Sequence, residues 1–240
     1  MVNSEVKKHA IARKKTNLPT VTQNENNLTT ATWNEVKQNV LSWNNIRTNP
    51  SIIKPFFNGE TFFEFHPSTS ILHPKTALHF YPAITPTGFV LYIIKAINDK
   101  FTVFEQDPVN FPANYIITAE IKMASPDEYG ELLSKIPRKE ALERIANWDE
   151  HHDQWIDCKA PNGGLFQAFT LSANDHGLQD QLTGFFGLVG TADPFSFSAD
   201  IILENNRARA FFNTVKPVPP YPPETPQDFF ILEAATSPGV

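Results

Sequence analysis

The residues best suited to chemistry lie close together, in a segment that carries two adjacent histidines among carboxylates. The segment spans residues 147–156 and contributes Asp149, His151, His152 and Asp153. Imidazole and carboxylate groups together serve both proton transfer and metal binding. These four residues are therefore the first candidates for a functional site or an interface.

Helical spacing separates the two histidines. The apolar periodicity of residues 137–157 predicts a helix. At about 100° per residue, His152 lies in the middle of the apolar face and His151 at its edge. Histidine pairs that bind a metal from one helix use i, i+4 spacing instead. We therefore predict that His152 packs in the interior or at an interface, with no metal bound. A general base near a cleft stays open as an alternative.

Asp175 and His176 form the second candidate, within residues 174–177 between two predicted strands. Functional residues often lie in such connections. However, Asn, Asp and Gly are also the residues that turns prefer. A plain turn is the favoured interpretation, and a site is the alternative.

Other catalytic and cofactor signatures are weak. His66, His73 and His79 are near enough in sequence to converge on a metal, but nothing in their spacing requires it. There is no G-x-S-x-G nucleophile elbow. Bulky apolar residues separate the glycines of residues 184–190, which predicts a strand with close backbone approach rather than a phosphate loop. Cys158 is the single cysteine, so no intrachain disulfide forms. We predict no catalytic residue, no metal and no cofactor.

Charge and composition narrow the class of protein. Of 240 residues, 41% are hydrophobic and 19% charged, which suits one large folded domain. The formal net charge is −6, yet residues 1–15 hold five basic side chains against Glu5, a charge of +4. Residues 16–240 therefore carry −10, and we expect no nucleic-acid binding. No apolar run suits a membrane helix and no apolar segment of a secretory signal follows the basic start, which predicts a cytoplasmic protein without membrane contact. A transit-like presequence at residues 1–15 is the alternative.

The periodicity predicts mixed secondary structure. A helix begins at the capping-box pair Thr32 and Glu35 and ends before Pro50. A central helical block covers 125–157 and is kinked or broken at Pro137. Strands precede and follow this block. They are predicted at 61–65, 77–84, 89–97, 101–105, 115–122, 165–171, 185–189, 195–203 and 207–212, with a last one considered at 229–233.

This order of elements predicts an α+β domain. Its largely antiparallel sheet has about eight to nine strands, with an N-terminal helix and a central kinked two-helix block. Residues 1–29 are interpreted as a polar, basic N-terminal arm. Residues 30–240 are interpreted as a single α+β domain, with a Pro-rich strap at 216–226.

The arm, the strap and the many aromatic residues suit contacts with a partner. We predict a non-enzymatic structural or protein-interaction component of an oligomer or larger assembly. It would bind a protein partner or itself through the arm and the Pro-rich segment. One alternative is a hydrolase or small-molecule-binding protein that uses Asp149, His151 and His152. A second is an apolar-ligand carrier, because a sheet rich in Phe can enclose a cavity.

Overall fold

A closed antiparallel β-barrel forms the centre of the computed structural model. The structure describes residues 29–58, 61–65, 77–106, 111, 115–123, 136–171, 181–190, 196–207, 210–218 and 229–236. The strands in these ranges are β1 (Thr61–Phe65), β2 (Leu78–Thr85), β3 (Gly88–Lys95), β4 (Ile116–Met123), β5 (Ala168–Leu171), β6 (Leu182–Val189), β7 (Ser198–Asn205) and β8 (Ala210–Val218). Their order around the barrel is β1-β4-β3-β2-β5-β8-β7-β6, and β6 pairs back onto β1.

Helices accompany the barrel. The α-helices in the described ranges are α1 (Trp33–Ile46), α2 (Pro50–Ile53), α3 (Phe101–Gln106), α4 (Arg138–Lys159) and α5 (Phe230–Thr236). Single 3-10 turns lie at Lys54–Phe57, Ala96–Asn98 and Ala160–Asn162. α1 begins with a capping box, in which Thr32 and Glu35 satisfy each other's backbone N–H groups. Among the described helices, none has the length and apolar character needed to cross a membrane.

The α+β class and the antiparallel sheet are confirmed. Two predicted strands are wrong, because residues 101–105 lie in α3 and residues 230–233 of the second lie in α5. Short apolar runs suit either a helix or a buried strand, and packing against other elements decides between them. α4 begins directly after Pro137. The first half of the predicted helical block, at 125–135, lies outside the described residues, as do residues 1–28 of the arm and residues 219–226 of the strap.

Aromatic side chains fill the interior of the barrel. Because strand residues alternate between faces, Phe63 and Phe65 of β1 point inward while Phe62 packs against the outside. Rings of the interior cluster meet edge to face, as Phe65 and Phe80 do at a centroid distance of 5.6 Å. Trp148 of α4 stacks on Phe186 at 5.2 Å and belongs to the same interior cluster.

Two glycines of β6 allow other elements to approach closely, as the spacing of residues 184–190 predicts. A Cβ atom on Gly184 would lie 2.1 Å from Cζ of Phe63, so the Phe63 ring occupies the space of the missing side chain. A Cβ atom on Gly187 would lie 3.4 Å from Cβ of Arg144. Gly184 thus lets the large β1 side chain fit inside the barrel, and Gly187 lets α4 lie close against the outside.

The outer face of the barrel is covered unevenly. α1 and α5 pack on the side formed by β2 and β3, where Val36, Val40 and Leu232 belong to one apolar cluster. The first half of α4 packs over β6 and β7, with Ala141 and Ile145 against the strands. Between these two covers, the outer face of β1, β4 and β3 borders a groove.

Candidate functional site

His152 lies inside the protein, on the face of α4 that helical spacing predicts. The residue is 7% exposed, and its ring stacks on Trp148 at a centroid distance of 5.6 Å. Its Nδ1 lies 2.8 Å from the carbonyl oxygen of Trp148. Since a carbonyl only accepts, Nδ1 donates. Neither His152 Nε2 nor Trp148 Nε1 has a hydrogen-bond partner in the described part of the chain.

The contacts described for His151 and Asp153 differ from those of His152. His151 stacks on Phe197 at 5.5 Å. Asp153 is largely exposed, and its Oδ1 lies 3.9 Å from both His152 Nε2 and Lys54 Nζ. Asp149 is half-buried. Within the residues described, no group of three or more His, Cys, Asp and Glu side chains is arranged to hold a metal. The second candidate, Asp175 with His176, lies outside the described residues.

A buried carboxylate at Asp99 organises a cluster that sequence analysis missed. Asp99 is fully buried, and its Oδ2 accepts hydrogen bonds from His79 Nδ1 at 2.7 Å and from the Tyr81 hydroxyl. Its Oδ1 accepts from the backbone N–H of Ile231 at 3.0 Å. Phe229 stacks on His79 at a centroid distance of 4.2 Å and covers the cluster. The cluster therefore fastens the start of α5 to β2.

Part of the Asp99 cluster was visible in the sequence. His79 and Tyr81 are two residues apart on a predicted strand, so they share a face. Asp99 follows the next strand, in a segment that resembles an ordinary turn. Their meeting depends on the β2–β3 pairing, in which Leu78 lies opposite Lys95. The Asp99 carboxylate accepts from three donors, and the Phe229 ring covers His79. The arrangement therefore suits anchoring of α5.

A second buried carboxylate, Asp200 of β7, faces α4 on the outside of the barrel. Its Oδ2 accepts a hydrogen bond from Arg144 at 2.7 Å, and its Oδ1 accepts from the backbone N–H of Ile201 at 2.9 Å. Arg144 also pairs with Glu140, one turn earlier. Burial raises the pKa of Asp200 to about 6, because desolvation outweighs the hydrogen bond and the charge of Arg144.

A polar groove lies on the outer face of β1, β4 and β3 beside the first half of α1. It has a volume of about 640 Å³. We call it the acidic groove and define it by Glu35 and Asn39 of α1, Glu64 of β1, Tyr92 of β3, and Thr118 and Glu120 of β4. The β2–β3 turn at 85–87 and residues 29–31 form its walls. Three carboxylates line it, and no Lys or Arg is among its described lining residues.

Two hydroxyl groups of the acidic groove lack part of their hydrogen bonding. Tyr92 is 1% exposed, and its oxygen accepts a hydrogen bond from Asn39 Nδ2 at 2.8 Å. The phenol proton has no acceptor among the described residues, and Thr118 Oγ1 has no partner there. Burial raises the pKa of Tyr92, against the effect of the Asn39 hydrogen bond, and the charge of Glu35 adds to the rise. Tyr92 therefore keeps its proton and remains a donor.

The acidic groove combines negative charge with hydroxyl donors. The carboxylates can hold ammonium or guanidinium groups, and hydrogen bonds that involve a charged group are the stronger ones. The hydroxyls can donate to carbonyl oxygens. The described lining holds no His, Cys or Ser, so a Ser–His or Cys–His nucleophile pair is not formed from those residues. The geometry therefore suits binding of a cationic segment that also carries carbonyl groups.

The candidate residues differ in how far sequence could find them. His152 is identified by helical periodicity alone, whereas Glu64, Tyr92 and Glu120 come from three strands and carry no motif. Outward positions on alternating strands were the available signal, but that signal does not tell which strands become neighbours.

Comparison of the chain with protein-family models, with curated proteins and with solved structures gives no match.

Proposed function

We propose that this chain is a non-enzymatic protein-interaction component that binds a basic segment of a partner protein in the acidic groove. The observation that carries the proposal is a groove of about 640 Å³ that three carboxylates line, those of Glu35, Glu64 and Glu120. A concave surface with charge of one sign concentrates the field and attracts ligands of opposite charge. The chain would thereby become one component of a larger assembly.

A peptide segment suits the groove better than a small apolar ligand. An apolar-ligand carrier would need aromatic residues of neighbouring strands to line one cavity. Phe80 instead lies inside the barrel, Phe62 packs outside it, and Tyr92 belongs to the cluster beneath α1. The groove instead offers carboxylates for basic side chains and the Tyr92 hydroxyl for a backbone carbonyl. Its volume lies within the range of about 300–1,000 Å³ that ligand sites commonly have.

Binding of an N-acetylated, C-amidated hexalysine peptide tests the proposal. Isothermal titration calorimetry at low ionic strength would compare the unaltered chain with the double variant Glu64→Gln, Glu120→Gln. Exposed ion pairs contribute about 0.2–1 kcal/mol each, so we expect the double variant to bind roughly 2- to 30-fold more weakly. Raising the salt concentration should weaken binding of the unaltered chain, because screening reduces these attractions.

The control variant is Glu143→Gln, which removes one exposed carboxylate from α4 rather than from the groove. It should bind hexalysine as the unaltered chain does. The titrations are repeated on an arm-neutral variant, so that the cations of the N-terminal arm do not compete. The arm-neutral variant replaces five basic residues with Gln: Lys7, Lys8, Arg13, Lys14 and Lys15. If neither protein binds hexalysine, or if Glu143→Gln weakens binding as much as the groove variant, the proposal is wrong.

A further inference from the structure

We propose that two copies of this chain exchange their C-terminal helices, so that α5 of each copy packs on the barrel of the other. The chain would then form a symmetric dimer, whether or not a peptide binds in the acidic groove. An exchanged helix makes the same contacts that α5 makes within one chain. Only the connection between β8 and α5 differs between the monomer and the dimer.

The face of the barrel that receives α5 combines apolar packing with one buried carboxylate. Phe229 stacks on His79 at 4.2 Å, and the backbone N–H of Ile231 donates to the fully buried Asp99. Ile231 and Leu232 are themselves buried in the apolar cluster beneath α1. A helix of seven residues is too short to be stable alone in water, so α5 depends on this face. A second copy of the chain presents the identical face.

The chain leaves the barrel close to the place where α5 packs. Pro217 of β8 lies opposite Phe169 of β5, which lies opposite Phe80 of β2. Two strand spacings of about 4.8 Å therefore separate Pro217 from Phe80, a distance of about 10 Å. The Phe229 ring lies on His79, the neighbour of Phe80. Within one chain, the connection thus joins two points roughly 10–15 Å apart.

The composition of the connection favours a longer reach than this gap. Residues 219–228 join β8 to Phe229, and five of these ten residues are proline. Proline-rich sequences favour the extended polyproline II conformation, at about 3.1 Å per residue, so ten residues reach about 31 Å. To return α5 to the same barrel, the connection has to double back, which its prolines disfavour. An extended connection carries α5 to a second copy instead.

A flexible connection tests the exchange. Light scattering after size-exclusion chromatography should give twice the mass of one chain, with monomer appearing on dilution. Ten flexible residues have a root-mean-square span of about 17 Å, which nearly matches the gap. The effective concentration of α5 at its own barrel then rises to the order of millimolar, so the Kd of the dimer should rise at least about tenfold. The flexible variant carries five changes: Pro219→Ser, Pro220→Ser, Pro222→Ser, Pro223→Ser and Pro226→Ser.

The control variant is Tyr221→Ser, Gln227→Ser, which alters the same connection and keeps every proline. It should dimerise as the unaltered chain does. The exchange is wrong if the unaltered chain is monomeric at every concentration. It is also wrong if the flexible variant dimerises as tightly as the control variant, because an ordinary interface between folded copies does not depend on the prolines.

Paramagnetic relaxation between chains shows which copy supplies α5. Cys158→Ser removes the single cysteine, and Glu233→Cys places a nitroxide on the exposed side of α5. These chains are unfolded in urea and refolded with nitrogen-15-labelled chains that carry no nitroxide. We expect the labelled chain's Trp33 amide signal to broaden, since the Trp33 ring stacks on Phe230 at 6.2 Å. The Phe185 signal should stay sharp, because β6 is four strands from β2 in either direction.

Equal broadening of the Trp33 and Phe185 signals, or none, would overturn the exchange even if a dimer forms. In such a dimer each α5 stays on its own chain. Neither measurement involves Glu64 or Glu120. A chain that binds no hexalysine but passes both tests would therefore contradict the proposed function and leave the exchange intact.

Discussion

The pH dependence of stability tests whether burial or the ion pair with Arg144 has the larger effect on the pKa of Asp200. The carboxylate is almost fully buried, bonded to Arg144 and to its neighbour's backbone N–H. Glu140, which pairs with the same guanidinium, raises the pKa of Asp200 slightly further. Asp200→Asn is the suitable perturbation, because Asn retains an acceptor for Arg144 and does not titrate.

The pKa values determine the direction of the effect. Burial raises the pKa of Asp200 from 3.8 to about 6 in the folded state. Between these two pH values the folded state binds more protons than the unfolded state, so the free energy of unfolding falls as pH rises. The stability contributed by Asp200 is complete below about pH 4 and is lost as pH rises through about 6.

The magnitude follows from the same two values. A rise from 3.8 to about 6 corresponds to about 3 kcal/mol, at 1.36 kcal/mol per pKa unit. The unaltered chain should therefore lose up to about 3 kcal/mol relative to Asp200→Asn between pH 4 and pH 7. This is an upper value, since structural relaxation and entry of water reduce the cost of a buried charge.

Urea unfolding at constant ionic strength, followed by tryptophan fluorescence, measures this difference across the pH range. The control is Asp153→Asn, whose side chain is 58% exposed and whose effect should stay within about 0.5 kcal/mol at every pH. The reasoning fails if the difference between Asp200→Asn and the unaltered chain does not change with pH. It also fails if the unaltered chain gains relative stability as pH rises, since attraction by Arg144 would then outweigh desolvation.

Three further predictions concern stability and are measured by urea unfolding. Asp99→Ala should lower the free energy of unfolding by about 3–5 kcal/mol, because it leaves three buried donors without an acceptor. A loss below about 1 kcal/mol would contradict the role of the Asp99 cluster as an anchor. His152→Ala should cost about 1–3 kcal/mol, whereas the exposed control Asp153→Ala should cost less than about 0.5 kcal/mol. Equal losses of stability for His152→Ala and Asp153→Ala would mean that the His152 side chain is exposed. Gly184→Ala should cost about 1–3 kcal/mol, since its Cβ would overlap the Phe63 ring. Phe63→Leu should partly rescue that variant, and additive losses would refute the overlap.

The helix that carries His152 shows what helical periodicity can predict and what it cannot. The apolar stripe of residues 137–157 predicts which histidine turns inward, and the burial of His152 follows that stripe. The same pattern gives no information on what the ring meets. Its stacking on Trp148, and the lack of a described partner at Nε2, depend on how α4 packs in the folded protein.

The acidic groove was beyond sequence analysis for a different reason. Glu64 and Glu120 are separated by more than fifty residues, and their strands become neighbours through the β1–β4 pairing, in which Phe63 lies opposite Ile121. Each strand exposes polar residues on its outer face, which is ordinary for an antiparallel sheet. Only the strand order places these outer residues beside Asn39 and Tyr92.

Local patterns were sufficient for the class of this protein. Alternation, capping residues and turn signals act over a few residues, so they predicted most strands, the start of α1 and the charge contrast between arm and body. Where a short apolar run suits two conformations, as at 101–105 and 230–233, local preference was insufficient and packing selected a helix. For α5, the Asp99 carboxylate is part of that packing, because it accepts from the backbone of Ile231.

Closure of the barrel belongs to the tertiary structure. It requires β6 to pair with β1, so that Phe63 lies over Gly184 although the two residues are far apart in the chain. No local preference encodes such a contact, since its energy arises only when both strands are already in place. The same closure turns the outer faces of β1, β4 and β3 into one surface. The acidic groove therefore exists only in the folded molecule, while the charges that line it are present in the sequence.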